Sequence, residues 1–362
     1  MICRSCVLTS STPGITFDEE GTCNHCRDFT PVKFKGEDAL LDIIDRNRGK
    51  GRYDAVVTLS GGRDSTYTLL KAVRDYKLKV LAFNYKNPFT HPVATENIQR
   101  VKKQLGVDLI QFDLPSDWHR RSMRHNLVSW LKKPSLAMVP MMCVACKVMW
   151  KPVLKIAKDN GIRMAFSGSN PYELNKFKRV LLGISAKSSA AYYYTAYIFG
   201  LAREVAGNVR YMAPEVIPPT MLGYLYSGPE APFVKLSGMG LSKITLFDYL
   251  PWNETIVLSR IRNELGWRHP PDSVTTWRFD CEVDDLKNYI YLELLGVTEK
   301  DDFYSNLMRA GLMTRDEALK RVKRENHVDL KRIKKILNDV GISFNAFSQT
   351  LEQYKKETRK QV

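Results

Sequence analysis

Long apolar runs are missing from this chain. None reaches the about 18 to 20 unbroken apolar residues of a membrane span. The nearest, Ala190 to Leu201, is short and Tyr-rich, so no membrane association is expected. The opening Met1-Ile2-Cys3-Arg4-Ser5-Cys6 has no basic segment followed by an apolar one. A secretory signal is therefore not expected, and the chain is assigned to the cytoplasm. Also missing are the G-x-x-x-x-G-K and G-x-G-x-x-G fingerprints, the G-x-C-x-G elbow of a glutaminase, and any internal repeat or low-complexity segment. These absences exclude P-loop and dinucleotide sites and a built-in source of ammonia from glutamine.

What is present is enough for a globular protein. The chain has 362 residues and 44% hydrophobic content, consistent with roughly two domains and a sizeable core. Seven cysteines in a reducing compartment read as metal ligands or catalytic groups rather than as disulfides. The formal net charge of +16 suits an anionic partner, and by itself it does not separate nucleic acid from small anionic substrates.

Three regions are expected. Residues 1–32 form a small metal-held module, residues 50–182 a nucleotide domain, and residues 183–362 a substrate-binding and helical C-terminal region. Within the second, short apolar runs alternate with amphipathic ones. Strands are predicted at Asp54 to Leu59, Lys79 to Asn84, Leu109 to Leu114 and Arg163 to Ser167. Helices are predicted at Ser65 to Asp75, Thr95 to Leu105 and Lys147 to Asn160. That alternation predicts an α/β fold, a parallel sheet with helices on both faces. Further on, Tyr192 to Val205 reads as a helix and the Pro- and Gly-rich stretch Pro214 to Gly240 as loops. Asp284 to Leu295 and Arg315 to Arg324 read as helices, with Thr314 and Glu317 in capping-box spacing. From Lys300 onward, 15 Lys plus Arg face 9 Asp plus Glu with few aromatics between them. This is read as a solvated helical face, and nucleic acid is not expected as a partner.

Ser60-Gly61-Gly62-Arg63-Asp64-Ser65 falls where a predicted strand gives way to a helix. Glycines there let the backbone approach phosphate oxygens, and the helix N-terminus offers free N–H groups. Asp64 beside phosphates makes sense if a magnesium ion stands between them. After the strand Arg163 to Ser167, Gly168-Ser169-Asn170-Pro171 borders the same crevice, the usual ligand site of open α/β sheets.

The cysteines divide into two groups. Cys3-x-x-Cys6 and Cys23-x-x-Cys26, sixteen residues apart, have the spacing of a four-thiolate zinc site with a folding role, and His25 is read as a solvated neighbour. Cys143-x-x-Cys146 and the distant Cys281 make a trio. For these a second metal or iron–sulfur site, a redox or nucleophilic pair, and plain buried cysteines all stay open.

The hexapeptide Ser60 to Ser65 matches the signature of the PP-loop ATP pyrophosphatases. The opening cysteine module, Tyr249-Leu250-Pro251-Trp252-Asn253-Glu254, Trp277-Arg278-Phe279-Asp280-Cys281, Val297 to Asp302 and Thr314 to Leu319 extend the likeness over nearly the full chain. The whole resembles the N-acetyl sugar amidotransferases of the WbpG and PseA type. The resemblance implies an adenine nucleotide alpha hydrolase-like fold with a zinc-ribbon-like module in front and a mostly helical part behind. It implies ATP-dependent conversion of the N-acetyl group of a UDP-linked sugar to an acetamidino group, in bacterial surface-glycan (lipopolysaccharide O-antigen) biosynthesis. Ammonia is expected from a separate glutamine amidotransferase-like subunit, with a cyclase-like barrel subunit beside it. ATP, Mg²⁺ and Zn²⁺ are the implied cofactors. Ser60, Gly61, Gly62, Asp64 and Ser65 are assigned to phosphates and magnesium, and Gly168, Ser169 and Asn170 to the nucleotide. Asp64, Lys147 and Asp280 are assigned to catalysis, with Glu173 and Arg278 as further candidates near the reacting groups. Lys147 is read either as neutralising the pyrophosphate or as a surface lysine. The competing reading is a tRNA-modifying PP-loop enzyme, of the thiolation or lysidine-forming kind.

Overall fold

The computed structural model describes residues 1–49, 51–184, 190–214, 217–226, 231–238 and 240–359. Its centre is a five-stranded parallel sheet in the order β3-β2-β1-β4-β5, formed by β1 (Ala55–Thr58), β2 (Val80–Tyr85), β3 (Asp108–Phe112), β4 (Met164–Ser167) and β5 (Ser242–Thr245). β1 and β4 are buried along their whole length, as expected of strands covered by helices on both faces. The first four strands fall where the apolar runs predict them. The fifth comes from beyond residue 182, so the sheet of the nucleotide domain is completed by the later region. Ser242-Lys243-Ile244-Thr245 is short and buries only Ile244 fully, which leaves little apolar signal for an edge strand.

β1 lies between β2 and β4. The chain leaves β1 toward one side of the sheet and later returns to the other, so a crevice opens at the carboxyl ends of β1 and β4, the topological switch point of such sheets. The helix Arg63–Leu70 starts directly at that crevice and continues as a π turn, Lys71–Asp75.

Several expectations change. The helix after the internal cysteine pair begins at Trp150, not Lys147: Ala145–Met149 is a 3₁₀ turn preceded by another over Leu136–Cys143, which contains Pro140. Proline removes a backbone donor, so a regular helix does not form through this stretch. Within Pro214 to Gly240 the chain forms two short helices, Ile217–Leu225 and Pro232–Ser237, instead of loops. Pro232 sits at a first helical position, where its missing N–H costs nothing. Residues 215–216, 227–230 and 239 of that stretch lie outside the described residues. The helix around Tyr192 spans Ala190–Gly207.

Among the described residues, the helix Glu254–Leu265 follows, and then Val283–Leu295, Glu299–Arg309, Arg315–Glu325, Leu330–Asp339 and Phe344–Arg359. Thr314 accepts from the Glu317 N–H, but the full reciprocal capping box stands one helix earlier, between Thr298 and Asp301. Glu317 instead reaches Arg321. The aromatic seam Trp252, Trp277 and Phe303, all almost wholly buried, joins these helices to the sheet. Burying each such ring contributes about 2–3 kcal/mol. Among the described residues no single helix is long and apolar enough to cross a membrane; Leu136–Cys143 and Ala145–Asp159 meet that test only jointly, across a 47° bend.

Candidate functional site

The strand-to-helix turn after β1 forms one wall of a cavity of about 490 Å³. Gly61 has φ +83°, and a Cβ there would stand 2.2 Å from the carbonyl oxygen of Ala94, so only glycine fits. Its own carbonyl accepts from Trp267 Nε1 at 3.0 Å and Asn97 Nδ2 at 3.4 Å, which anchors the turn from behind. Ser65 Oγ accepts from the Ser60 N–H at 3.2 Å, and the Ser60 and Ser65 hydroxyls lie 3.0 Å apart. Both hydroxyls are thus held at the mouth of the helix. Across β4, a Cβ on Gly168 would lie 2.7 Å from the backbone of Asp64. The two loops therefore pack backbone to backbone, and Gly168 and Ser169 line the cavity with Ser60, Gly62, Asp64 and Ser65. Asn170 does not line it. Its Oδ1 accepts from the Tyr172 N–H and caps the 3₁₀ turn Pro171–Glu173, so its role is to shape the turn.

This wall fits a triphosphate and its cation. Glycine backbone, two hydroxyls and a carboxylate surround a helix N-terminus and face the cavity. Ser60, Gly62, Asp64 and Ser65 are the residues that would hold the phosphates and Mg²⁺.

The opposite wall comes from far along the chain. An antiparallel bridge between Thr90 and Cys281, with the His91 N–H donating to Asp280 O and the Glu282 N–H to Phe89 O, pins residues 280–282 to the loop after β2. This carries the Asp280 carboxyl to 3.1 Å from where a Gly62 Cβ would stand. Burial raises the Asp280 pKa, against a hydrogen bond from Ser60. Arg278, with φ +50°, is the strained residue of this segment, a conformation that costs a non-glycine residue about 1–2 kcal/mol. It is held there by Glu173 at 3.5 Å, Glu299 at 3.4 Å and Asp284 at 3.8 Å. Glu299 is wholly buried and also meets Lys178 and Lys287. Burial alone would raise its pKa, but Lys178, Lys287 and Arg278 outweigh that and hold it well below the carboxylate range. Glu173 goes the other way: burial raises it, and the Asp64 and Asp280 carboxylates add to the effect. Glu173, Arg278 and Asp280 all line the cavity, and so does Lys147, from its 3₁₀ turn.

The two cysteine groups differ. The sulfurs of Cys3, Cys6, Cys23 and Cys26 all lie within 4.8 Å of one another, with Cys3 to Cys26 at 4.0 Å and Cys6 to Cys23 at 3.8 Å. A tetrahedral zinc thiolate site has an edge of about 3.8 Å, given its ~2.3 Å bonds. The four sulfurs fit a metal as they stand. His25 is buried, not solvated, and its Nε2 has no hydrogen-bond partner among the described residues. The module docks on the C-terminal helices: the Val7 N–H donates to Ser305 Oγ, Arg315 to Cys3 O and Arg309 to Cys26 Sγ. The internal trio is looser, and among the described residues only the N-terminal set gathers to metal-ligand distance. Cys146 and Cys281 line the cavity, whereas Cys143 lies behind it with His119 Nε2 at 2.9 Å. His119 Nδ1 is in turn 2.7 Å from Tyr85 Oη. A hydrogen bond from Cys143, with Lys147 and Lys287 nearby, lowers the Cys146 thiol to about 6 despite burial.

Sequence reasoning missed His119, Arg63, Trp252 and Glu254. Trp252 Nε1 and Arg63 Nε both donate to Asp64, and Arg63 also reaches Glu254. The tryptophan in Pro251-Trp252-Asn253, just before the capped helix Glu254–Leu265, was the one signal available.

Two family models match the chain. Residues 272–361 match "LPS biosynthesis protein WbpG-like, C-terminal domain", and residues 54–144 match "Queuosine biosynthesis protein QueC". An uncharacterized protein, MJ1599 of Methanocaldococcus jannaschii, is 29% identical over 118 residues, 30% of this chain and 42% of that protein. The chain thus spans less than half of that relative's length. Among solved structures, the U34-tRNA thiolase NcsA of Methanococcus maripaludis with its [4Fe-4S] cluster aligns over 91% of each chain, at 14% identity and a TM-score of 0.32.

Proposed function

We propose that this chain, a WbpG-type PP-loop protein and hence an ATP-using enzyme, is an amidotransferase that converts the N-acetyl group of a nucleotide-linked sugar to an acetamidino group. The observation that supports this reading most is one cavity with two kinds of wall. Its phosphate loop lies in the QueC-like segment, and Arg278 and Asp280 lie in the WbpG-like segment.

The amide oxygen is a poor leaving group. In the proposed reaction it attacks the α-phosphorus of ATP, and pyrophosphate departs. Ammonia then adds to the acetyl carbon, a proton is lost, and AMP leaves with the former amide oxygen. One hard displacement becomes two easier ones. Ser60, Ser65 and the backbone at Gly62 receive the departing pyrophosphate, where pre-oriented donors are worth most. Glu173 and Asp280, the half-buried carboxyls that line the cavity, are the groups to take the proton from the incoming nitrogen. Ammonia comes from a separate glutaminase-type partner with a barrel subunit, and the pathway is a surface glycan such as O-antigen.

The test is AMP and pyrophosphate release from ATP and Mg²⁺ with candidate UDP-N-acetyl sugars and ammonium. Turnover should require both sugar and ammonium. Asp64→Ala should abolish it while zinc stays bound at the N-terminal module. Release driven by tRNA and indifferent to sugar would replace this reading with the tRNA-modifying one. Iron and sulfide analysis of anaerobically purified protein addresses the Cys143, Cys146 and Cys281 trio separately: neither element in active protein would remove the cluster reading.

A further inference from the structure

Arg63 stands inside Ser60-Gly61-Gly62-Arg63-Asp64-Ser65, and a cation at a helix start beside a phosphate site invites a phosphate role. The geometry points elsewhere. Arg63 is 3% exposed, lies over the Trp252 ring at 4.8 Å and the Phe303 ring at 5.7 Å, and donates to Glu254 at 2.7 Å and Thr276 at 2.9 Å. Its guanidinium is thus committed to an aromatic and acidic box behind the loop. From that box its Nε reaches back 3.2 Å to Asp64 Oδ1, the same oxygen that accepts from Trp252 Nε1 at 3.0 Å. Among the described residues nothing donates to Asp64 Oδ2, and Asp64 lines the cavity. One carboxylate oxygen is held twice and the other is left over.

Glu254 sets the balance of charge. Its Oε1 accepts from Arg63 and Thr276, and its Oε2 accepts from Arg321 at 2.6 Å. Burial would raise its pKa, but Arg63 and Arg321 hold it below the usual range, so it stays an anion. An arginine shared between two carboxylates neutralises neither completely. Without Glu254, Arg63 would pair with Asp64 alone and compete with a cation for it.

We propose that Trp252, Arg63 and Glu254 are positioning residues that fix Asp64 Oδ1 and keep Oδ2 and its negative charge available for the magnesium ion of MgATP. The inference rests on the chain's use of ATP and is independent of which acceptor is amidated. Trp252 supplies orientation and Glu254 supplies electrostatic relief. Through Arg321, on the helix Arg315–Glu325, the WbpG-like domain braces the phosphate loop from behind.

The experiment is calorimetric titration of the full-length protein with ATP across a series of Mg²⁺ concentrations, with thermal melting run in parallel. Glu254→Gln and Trp252→Phe should each raise the Mg²⁺ concentration for half-maximal ATP binding by about tenfold, the scale of one charge-assisted hydrogen bond. Binding of ATP without Mg²⁺ should not change. Arg321→Met removes the outer ion pair of Glu254 and should lower the melting temperature without raising the Mg²⁺ requirement. The proposal is overturned if Glu254→Gln and Trp252→Phe lower the melting temperature yet keep the wild-type Mg²⁺ dependence, or if Arg321→Met shifts that dependence as much as they do. Wild-type protein that binds no ATP at all would overturn the underlying ATP-using reading, and this inference with it.

Discussion

The two walls of the cavity are built by different means. The phosphate loop and the Gly168 turn are made of backbone: glycines packed against main chain, hydroxyls, and a helix N-terminus. The Glu173, Arg278 and Asp280 wall is made of charged side chains, with Arg278 propped by buried Glu299 and Asp284, which half-buried Lys178 and Lys287 balance. The first wall is fixed by what is missing, namely side chains, and has almost no freedom to adjust. The second is fixed by charge balance, so its failure mode is loss of stability and of pH tolerance rather than steric exclusion.

Substitutions separate the two. The largest effect is expected at Gly168→Ala, whose Cβ meets the Asp64 backbone at 2.7 Å and cannot be relieved by a rotamer change. It should cut AMP formation by about 100-fold, the usual result of a displacement near 1 Å among reacting groups. Steady-state assays with the circular dichroism spectrum as a folding control test this. A residual rate near wild type would mean that the backbone wall is softer than its contacts imply. Next is Glu299→Gln, which leaves Lys178, Lys287 and Arg278 without their common anion. Breaking a buried pair in this way costs about 3–5 kcal/mol, read as a shift in the urea midpoint.

A pH effect of similar size follows from His119, which burial and Arg120 lower from 6.5 to about 4. Between those values the unfolded chain binds a proton that the native histidine does not, so stability present above pH 6.5 is lost as pH falls toward 4. The amount is about 3 kcal/mol. Denaturation at several pH values should show a shallower acid slope for His119→Asn than for wild type, and equal slopes would remove the group from the account. The smallest effect is expected at Gly62→Ala. Its Cβ would meet the Asp280 carboxyl at 3.1–3.3 Å, a side chain able to yield by a few tenths of an ångström. ATP KM should rise only about threefold, under 1 kcal/mol. A loss as large as that of Gly168→Ala would show that the charged wall is as rigid as the backbone wall.

The same contrast explains what the sequence revealed. Ser60 to Ser65, Gly168, and Cys3, Cys6, Cys23 and Cys26 are local patterns whose spacing already determines geometry. The positions of the first four strands followed from alternation of apolar runs, while their order in the sheet did not. The charged wall was legible only as separate residues, because Glu173 meets Arg278 across 105 positions and charge pairing leaves no periodicity even where, as with Arg278 and Asp284, the partners are near in the chain. The helix Trp118–Lys132 escaped for a related reason. Its inward face, His119, Ser122, Met123, Asn126, Leu127 and Trp130, has perfect helical spacing but is half polar, so a hydrophobic pattern does not find it. Trp252 and Glu254 act on Asp64 from a place the sequence ties to it by nothing shorter than the fold.

The central claim is that an amide oxygen is activated on ATP in this cavity, and the most direct measurement follows that oxygen. A UDP-N-acetyl sugar labelled with heavy oxygen in its acetyl carbonyl, turned over with ATP, Mg²⁺ and ammonium, is analysed by mass spectrometry of both products. The account predicts that the label appears in the phosphate of AMP and that the sugar emerges as an unlabelled amidine. Label retained in the sugar, or AMP formed without it, would contradict the account.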